Sequence, residues 1–144
     1  MSRKSIAVGA DHAGFALKSQ LSARLARAGY TVIDVGTSSE ESVDYPDFAD
    51  AVVEAIRDGR AERGLLVCGS GIGMSIAANR HPGIRAALCH DANAARLARQ
   101  HNDANVLALG ARVIDAETAA ACLDAFLETE FEAGRHARRV AKLA

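Results

Sequence analysis

Short apolar runs alternate with longer amphipathic segments along the whole chain, a pattern typical of a parallel sheet covered by helices. Strands are predicted at residues 5–9, 31–35, 65–68, 84–89 and 106–109. Helices are predicted near residues 13–28, 46–58, 72–80, 91–100 and 116–130, with a last helix from about residue 134. We therefore expect a Rossmann-like three-layer α/β sandwich: a five-stranded parallel sheet, helices on both faces and a C-terminal helix. Residues 1–144 are expected to form a single domain.

The composition limits the partners and the compartment. Charged residues make up 24% of the 144 residues and the formal net charge is −1, so we expect no nucleic-acid partner. The apolar runs are too short to cross a membrane, and the N-terminus leads directly into a strand, which predicts no membrane partner and a cytoplasmic location. Three cysteines without a C-x-x-C pair favour a reducing compartment and argue against a disulfide framework or a zinc site.

A glycine-rich turn between the third strand and the third helix is the most informative local feature. Cys68 ends the strand, and glycines follow at 69, 71 and 73. Backbone N–H groups that no side chain covers, together with the helix dipole, make such a turn a site for an anion, and they stabilise a thiolate. A cysteine that ends a strand is, however, often only a small buried apolar residue. No Gly-Lys-Ser/Thr follows and the turn belongs to the third βα unit, which disfavours an NTPase or a dinucleotide site.

Other polar residues are expected at the same edge of the sheet. Asp11 and His12 follow the first strand, and Tyr45 lies in the long loop after the second. Because ligands bind beyond the carboxyl ends of parallel strands, these side chains should lie near Cys68. His101 and Asn102 instead follow a helix, so they should lie at the opposite edge. We therefore expect a neighbouring subunit to complete the site.

Eight motifs, in this order, resemble the type B ribose-5-phosphate isomerases, in the wider family that includes galactose-6-phosphate isomerase subunits. The resemblance spans nearly the whole chain. It is carried by Gly9-Ala10-Asp11-His12-Ala13-Gly14, Asp44-Tyr45-Pro46, Cys68-Gly69-Ser70-Gly71-Ile72-Gly73, Ser75-Ile76-Ala77-Ala78-Asn79, Arg99-Gln100-His101-Asn102-Asp103, Asn105-Val106-Leu107-Ala108, Gly110-Ala111-Arg112-Val113 and Gly134-Arg135-His136.

The resemblance implies an aldose–ketose isomerase that needs no cofactor and no metal. It makes Cys68 the base that moves a proton between C2 and C1. Ser70 would pass the hydroxyl proton between O1 and O2. Some members of the family carry a glutamate at the position of Ser75, so in this chain no carboxylate competes with Cys68 for the role of base. The enediolate oxygen would be held by the backbone N–H groups of Gly69, Ser70, Gly71, Ile72 and Gly73.

The resemblance also implies how the closed sugar is opened. His101 would be the acid, because a histidine changes protonation near neutral pH. Asp11 would accept the anomeric proton or orient hydroxyl groups, with Tyr45 and Asn102 as further hydroxyl partners. From the residues alone, Asp11 is also a helix cap and His101 a surface histidine.

The phosphate group needs fixed positive charge. Arg135 and Arg139 are four residues apart, so they share one face of the last helix, and guanidinium groups bind phosphate oxygens in pairs. The resemblance adds Arg112, with His12 or His136 assisting. Residues 135–139 could equally be a solvated basic tail. In a homodimer with shared sites, or a tetramer built from such dimers, we expect the partner to supply His101, Asn102 and Arg112.

Three functions therefore remain open. The first is an isomerase of ribose 5-phosphate and ribulose 5-phosphate. The second is an isomerase of a six-carbon sugar phosphate such as allose 6-phosphate or galactose 6-phosphate, because chain length depends on pocket volume rather than on catalytic groups. The third class is non-catalytic: a nucleotide-binding module, or a thiol redox sensor that would lack a neighbouring resolving cysteine in sequence.

Overall fold

The computed structural model describes residues 4–143, and its sheet has five parallel strands. The strands are β1 (Ser5–Ala10), β2 (Thr31–Asp34), β3 (Arg63–Cys68), β4 (Ala86–Leu88) and β5 (Val106–Gly110). The helices are α1 (Phe15–Arg27), α2 (Tyr45–Arg57), α3 (Ile72–Asn79), α4 (Ala92–Asn102), α5 (Ala116–Glu128) and α6 (Arg135–Ala141). The predicted fold class is confirmed, with most element bounds within two residues of their predicted positions.

The order of the strands in the sheet is β2-β1-β3-β5-β4. The chain leaves β1 toward one edge of the sheet and leaves β3 toward the other edge. The carboxyl ends of β1 and β3 therefore flank the topological switch point, where a crevice opens in sheets of this kind. Asp11 and Cys68 stand at the two sides of this crevice, and the Asp11 N–H donates to the Val67 carbonyl oxygen at 3.2 Å.

Two apolar layers cover the sheet, one on each face. Alternate residues of β3 divide between them: Leu65 and Val67 pack toward the layer of α1, α4 and α5, whereas Leu66 and Cys68 pack toward α2 and α3. This division follows from the two-residue period of a strand. The Cys68 side chain is thereby directed to the face on which α2 and α3 lie.

The edge strand β4 is shorter than predicted, three residues instead of six. Side chains supply some of the hydrogen bonds at its beginning. Asn79 donates its amide N–H to the Ala86 carbonyl oxygen at 2.9 Å and accepts the Ala86 N–H at 2.7 Å. The Asn105 side chain accepts the Arg85 N–H at 2.8 Å. Asn79 thus occupies the position that another strand would take beside Ala86.

Lys18 is an ionisable side chain inside the fold, with only 2% of its surface exposed. Its Nζ donates to both carboxylate oxygens of Asp34 at 2.6 and 2.7 Å, which ties α1 to the end of β2. Asp34 also accepts the Gly36 N–H at 2.9 Å. A buried charge needs such a partner, because an unpaired one costs several kcal/mol.

In residues 4–143, no helix is long and apolar enough to cross a membrane.

The turn after β1 allows a sharp stability test. A methyl group at Gly14 would overlap the carbonyl group of Val67, whereas one at Gly69 would meet its nearest atoms at 3.4–3.7 Å. Gly14→Ala should lower the free energy of unfolding by about 3 kcal/mol, the upper end of overpacking costs. Gly69→Ala should change it by less than about 0.5 kcal/mol. Urea denaturation measures both, and equal losses would contradict this packing.

Candidate active site

Cys68 is the buried end of β3, with 4% of its surface exposed. Its Sγ accepts the backbone N–H of Gly71 at 3.1 Å. This contact requires the turn to reverse at Gly71, whose φ is +80°, in the left-handed region that favours glycine. A Cβ at Gly71 would also lie 2.5 Å from Leu88 Cδ1. The turn therefore gives the sulfur a backbone donor that can hold negative charge on it.

At the beginning of α3, some of the free N–H groups donate to other atoms of the protein, and others remain available to a ligand. The first four N–H groups of a helix have no partner inside the helix, and here they belong to residues 71–74. Gly71 donates to Cys68 and Ile72 donates to Ser70 Oγ at 3.1 Å. Gly73 lines the cavity, and its N–H group is left for a ligand. In this conformation the N–H groups of Gly71 and Ile72 already have partners, so their expected contact with the substrate oxygen stays a prediction.

The turn after β3 and the beginning of α3 line an open cavity of about 600 Å³, a volume suited to a small metabolite. The floor is the turn itself, and one wall is apolar. Two of the apolar side chains, Ile76 and Val113, were not singled out from the sequence. Ile76 could have been found, because it lies one helical turn after Ile72 on the same face of α3. The lining residues are Asp11, Tyr45, Cys68, Gly69, Ser70, Ile72, Gly73, Ile76, Arg112 and Val113.

Asp11 and Arg112 bring opposite charges to this cavity. Asp11 is buried, lines the cavity and accepts the Gly14 N–H on its Oδ1 at 3.0 Å. Because Gly14 is the N-cap of α1, Asp11 stabilises the turn before this helix and does not cap it. Arg112 lies beside the turn, with its Nη1 3.4 Å from where a Gly69 Cβ would stand. Arg112 therefore shares a cavity with Cys68 of its own chain, whereas the sequence analysis expects the partner to supply it.

His12 stands apart from the cavity lining. Its Nδ1 accepts the Val43 N–H at 3.2 Å, which ties the loop before α2 to the end of β1. This loop carries Tyr45, the first residue of α2, whose ring covers Gly73. A Cβ at Gly73 would lie 2.6 Å from the Tyr45 ring. In this conformation His12 acts on the site through the loop that it holds.

The remaining predicted residues lie in a second group, away from the Cys68 cavity. His101 is the next-to-last residue of α4, and its ring stacks on His136 with the ring centroids 4.3 Å apart. Glu132 Oε1 is 3.9 Å from His101 Nε2 and 4.0 Å from His136 Nε2. Glu132 was not identified from the sequence, although it stands four residues before His136. We refer to His101, Glu132 and His136 as the imidazole cluster.

Positive charge surrounds the imidazole cluster. Loss of solvent around the ring lowers the pKa of His136, and the nearby charges of His101, Arg135 and Arg139 lower it further. Arg135 and Arg139, the phosphate-binding candidates of α6, therefore lie close enough to the imidazole cluster to lower the pKa of His136. Asn102 lines another cavity, with Asn79 and Arg85. Within the described part of one chain, none of His101, Asn102, Arg135 and Arg139 lines the cavity that holds Cys68.

The sequence and the fold match a known family. The family described as Ribose/Galactose Isomerase matches residues 6–143. Ribose-5-phosphate isomerase B of Escherichia coli is 50% identical over 137 residues, which are 95% of this chain and 92% of the relative. The chain therefore belongs to the ribose/galactose isomerase family, and it is an enzyme of the isomerase class.

Two further relatives define how close the match is. The ribose 5-phosphate isomerase structure from Thermotoga maritima superposes with a TM-score of 0.96 at 53% identity, covering 99% of this chain and 98% of that one. D-erythrulose-4-phosphate isomerase of Pectobacterium atrosepticum is 48% identical over 140 residues, which are 96% of this chain and 92% of the relative. The names of these relatives thus include a four-carbon sugar phosphate in one case and a five-carbon sugar phosphate in the other.

The contact between Gly73 and Tyr45 gives a prediction for the site. Gly73→Ala should displace the Tyr45 ring, because the new methyl group would occupy its place. Tyr45 is 40% exposed and can swing outward, so the free energy of unfolding should fall by less than about 1 kcal/mol. In a Tyr45→Ala background the same Gly73→Ala change should cost nothing measurable. A double-mutant cycle by denaturation, with a crystal structure of Gly73→Ala, checks both, and an unmoved ring would contradict the prediction.

Proposed function

We propose that this chain interconverts ribose 5-phosphate and ribulose 5-phosphate through an enediolate, with Cys68 as the base. The observation that carries the proposal is the position of the Cys68 sulfur. It lines a metabolite-sized cavity, accepts the backbone N–H of Gly71, and shares the cavity with Gly73, the second residue of α3. The names of several relatives at about half identity support the same substrate pair.

The proton transfers follow from this arrangement. The Cys68 thiolate removes the proton from C2 of the open-chain aldose, and negative charge develops on O1. The N–H group of Gly73 holds this oxygen, an interaction that typically contributes about 3 kcal/mol per donor. Ser70 Oγ relays the O2 hydroxyl proton to O1. The Cys68 thiol then returns a proton to C1, which leaves the carbonyl group at C2.

Ring opening precedes these steps, and we assign it to His101 and Asp11. His101 protonates the ring oxygen, and the Asp11 carboxylate takes the anomeric hydroxyl proton. Tyr45 and Asn102 bind hydroxyl groups of the sugar. Arg135 and Arg139, assisted by Arg112, hold the phosphate group, because their fixed positive charges match its dianion.

We further propose a homodimer in which each site combines the Cys68 cavity of one chain with His101 of the other. The support is the separation of the predicted groups within one chain: Cys68, Ser70 and Asp11 line a cavity that His101 does not reach. Exposed apolar side chains border that cavity, with Ile72 at 53% and Ile76 at 59% exposure, and a partner chain would cover them.

We also propose a cytoplasmic location, and the three free cysteines support it.

Replacement of the base should abolish most turnover without unfolding the chain. Cys68→Ser should lower kcat by a factor on the order of 10²–10⁴, because the serine hydroxyl is too weak an acid to work as an alkoxide base. Cys89→Ala is the matched control and should keep its activity. Steady-state kinetics with ribose 5-phosphate measures both, and the assignment is wrong if Cys68→Ser retains more than half of the wild-type rate.

Alkylation of Cys68 distinguishes an isomerase from the two non-catalytic alternatives, a nucleotide-binding module and a thiol redox sensor. Burial raises the pKa of Cys89 to about 12 and that of Cys122 to about 11, so both stay protonated at neutral pH. Iodoacetamide should therefore modify Cys68 first, and ribose 5-phosphate should protect it. Mass spectrometry and residual turnover are followed together. Modification without loss of turnover would exclude Cys68 from the reaction.

Substrate length is tested by comparing kcat/KM among sugar phosphates. Ribose 5-phosphate should exceed allose 6-phosphate and galactose 6-phosphate, the six-carbon alternatives. Erythrulose 4-phosphate belongs in the series because one relative is named for it. A higher kcat/KM for a four-carbon or six-carbon sugar would replace the proposed substrate while leaving the isomerisation chemistry in place.

Subunit exchange tests the shared site. Cys68→Ser and His101→Asn homodimers are each inactive in this scheme, but half of the dimers in an equal mixture are heterodimers with one site free of both substitutions. Activity should return to about a quarter of the wild-type value. Mass spectrometry of the intact complexes verifies the exchange. If exchange is complete and no activity returns, Cys68 and His101 serve the same chain's site.

A further inference from the structure

Arg99 is a buried cation with no part in the chemistry described so far. In residues 4–143 the buried charged side chains are Asp11, Lys18 and Arg99. Asp11 lines the Cys68 cavity, and Lys18 pairs with Asp34. Arg99 lies in α4 with 5% of its surface exposed, and a buried guanidinium group is stable only where hydrogen bonds and an opposite charge offset its loss of water. Its partners therefore show what it holds in place.

The Arg99 guanidinium group joins two segments that are distant in sequence. Its Nη1 donates to Asp103 Oδ1 at 2.8 Å and to the Ala104 carbonyl oxygen at 2.7 Å, in the turn that follows α4. Its Nε donates to the Thr129 carbonyl oxygen at 3.1 Å, in the connection between α5 and α6, residues 129–134. Arg99 is thus a bridge between the turn after α4 and the α5–α6 connection.

Contacts between these two segments flank His101 in sequence. On one side, the Glu132 N–H donates to the carbonyl oxygen of Gln100, the residue before His101, at 3.0 Å. On the other side, Asp103, two residues after His101, accepts from Arg99. The place of the His101 ring on the α5–α6 connection therefore depends on both contacts.

The backbone beside the imidazole cluster adopts a conformation that L side chains rarely take. Asp103 has a φ of +48° and Ala133 a φ of +56°, and no other residue except glycine has a positive φ in residues 4–143. Such backbone costs free energy, so it persists only where surrounding contacts hold it. At Asp103, the carboxylate accepts from Arg99, and the carbonyl oxygen accepts the Nε–H of Arg85 at 2.8 Å. Both residues lie within two positions of a member of the imidazole cluster.

We propose that Arg99 is a positioning residue for ring opening. It holds the turn after α4 against the α5–α6 connection, so that the His101 ring stays stacked on His136 in the place from which it delivers its proton. This inference rests on the proposed function, in which His101 protonates the ring oxygen of the sugar. Arg99 acts through Asp103 and Thr129 and does not contact the substrate. A planar guanidinium group suits this task, because its donors point in fixed directions to two segments at once.

The position of the two rings can be measured without any assay of turnover. Stacked imidazole rings shift each other's NMR signals, because each ring lies in the magnetic field of the other. Arg99→Met removes the bridge and keeps an apolar side chain of similar length. It should move the signals of His101 and His136 toward those of unstacked rings. Unchanged signals would overturn the proposal.

Arg63→Met is the matched control. Arg63 also lies over the Phe126 ring, with its Cζ 5.5 Å from the ring centroid, against 6.0 Å for Arg99. It donates to the Phe126 carbonyl oxygen at 2.9 Å and not to the turn after α4. Arg63→Met should therefore leave the signals of His101 and His136 in place. Equal changes in the two variants would overturn the proposal, because they would show a loss of packing around Phe126 rather than of the bridge.

A second pair of variants covers the case in which Arg99→Met fails to fold. Asp103→Asn keeps a side chain that tolerates left-handed backbone and an oxygen that can accept from Arg99, whereas Asp103→Ala keeps neither. Asp103→Ala should separate the two rings and lower kcat/KM for ribose 5-phosphate by about tenfold or more. Asp103→Asn should retain most of the stacking and of the activity. Wild-type signals and activity in Asp103→Ala would overturn the proposal.

Subunit exchange separates a positioning role from a general loss of structure. Arg99→Met should lower kcat/KM for ribose 5-phosphate by a factor on the order of 10–10². Mixed with Cys68→Ser chains, it should regain about a quarter of the wild-type activity, because one site of each heterodimer then has an unsubstituted Cys68 cavity and an unsubstituted α4. Mixed with His101→Asn chains, it should regain none, because both sites then receive an altered α4.

The outcomes distinguish failure of this inference from failure of the proposed function. Suppose that Cys68→Ser and His101→Asn chains restore each other's activity but Arg99→Met restores neither: Arg99→Met then damages its own Cys68 cavity, and the positioning role is overturned. If Cys68→Ser and His101→Asn chains do not restore each other, the shared site fails, and the NMR signals decide the role of Arg99. If His101→Asn keeps full turnover while Arg99→Met still separates the two rings, the role of His101 fails and the placement of its ring by Arg99 stands.

Discussion

Direct backbone contact between the turns at the carboxyl ends of β1, β3 and β5 is the constraint on which the site depends. A methyl group at Gly14 would overlap the Val67 carbonyl, and one at Gly110 would overlap the Ser70 carbonyl. Neither position can hold a side chain unless the turns move apart. Because the three turns pack this closely, the Cys68 sulfur, the Asp11 carboxylate and the N–H groups of α3 stand at one crevice without any loop having to close over them.

The sequence predicts the parts of this structure that follow from local periodicity. The alternation of apolar runs and helices predicts the sheet, and the glycine spacing around Cys68 predicts a strand, a turn and a helix, all of which the structure contains. The predicted β4 is longer than the observed one, because an apolar run does not show where a side chain replaces a strand partner, as Asn105 does by accepting the Arg85 N–H. Which N–H groups remain free at α3 depends on the rotamer of Ser70, which composition and spacing do not encode.

Contacts between distant segments were the hardest to anticipate. His101 and His136 are 35 positions apart and meet only because α6 packs on α4. Glu132 lies in an irregular segment, where neither helical nor strand periodicity indicates which way a side chain faces. The position of His101 at the far end of a helix was nonetheless foreseen, since a helix that follows a parallel strand must run back toward the other edge of the sheet. The division of the candidate residues into two groups is a consequence of chain direction.

The side chain of Asn79 has a consequence for how copies of this chain can associate. By pairing with both polar groups of Ala86, it fills the hydrogen-bonding capacity of the outer strand in the place where a foreign strand would add. The β4 edge of the sheet is therefore closed to extension at this residue. The opposite edge of the sheet, β2, is not affected by this contact. A single amide on the last residue of α3 thus protects this part of the β4 edge against the addition of a foreign strand.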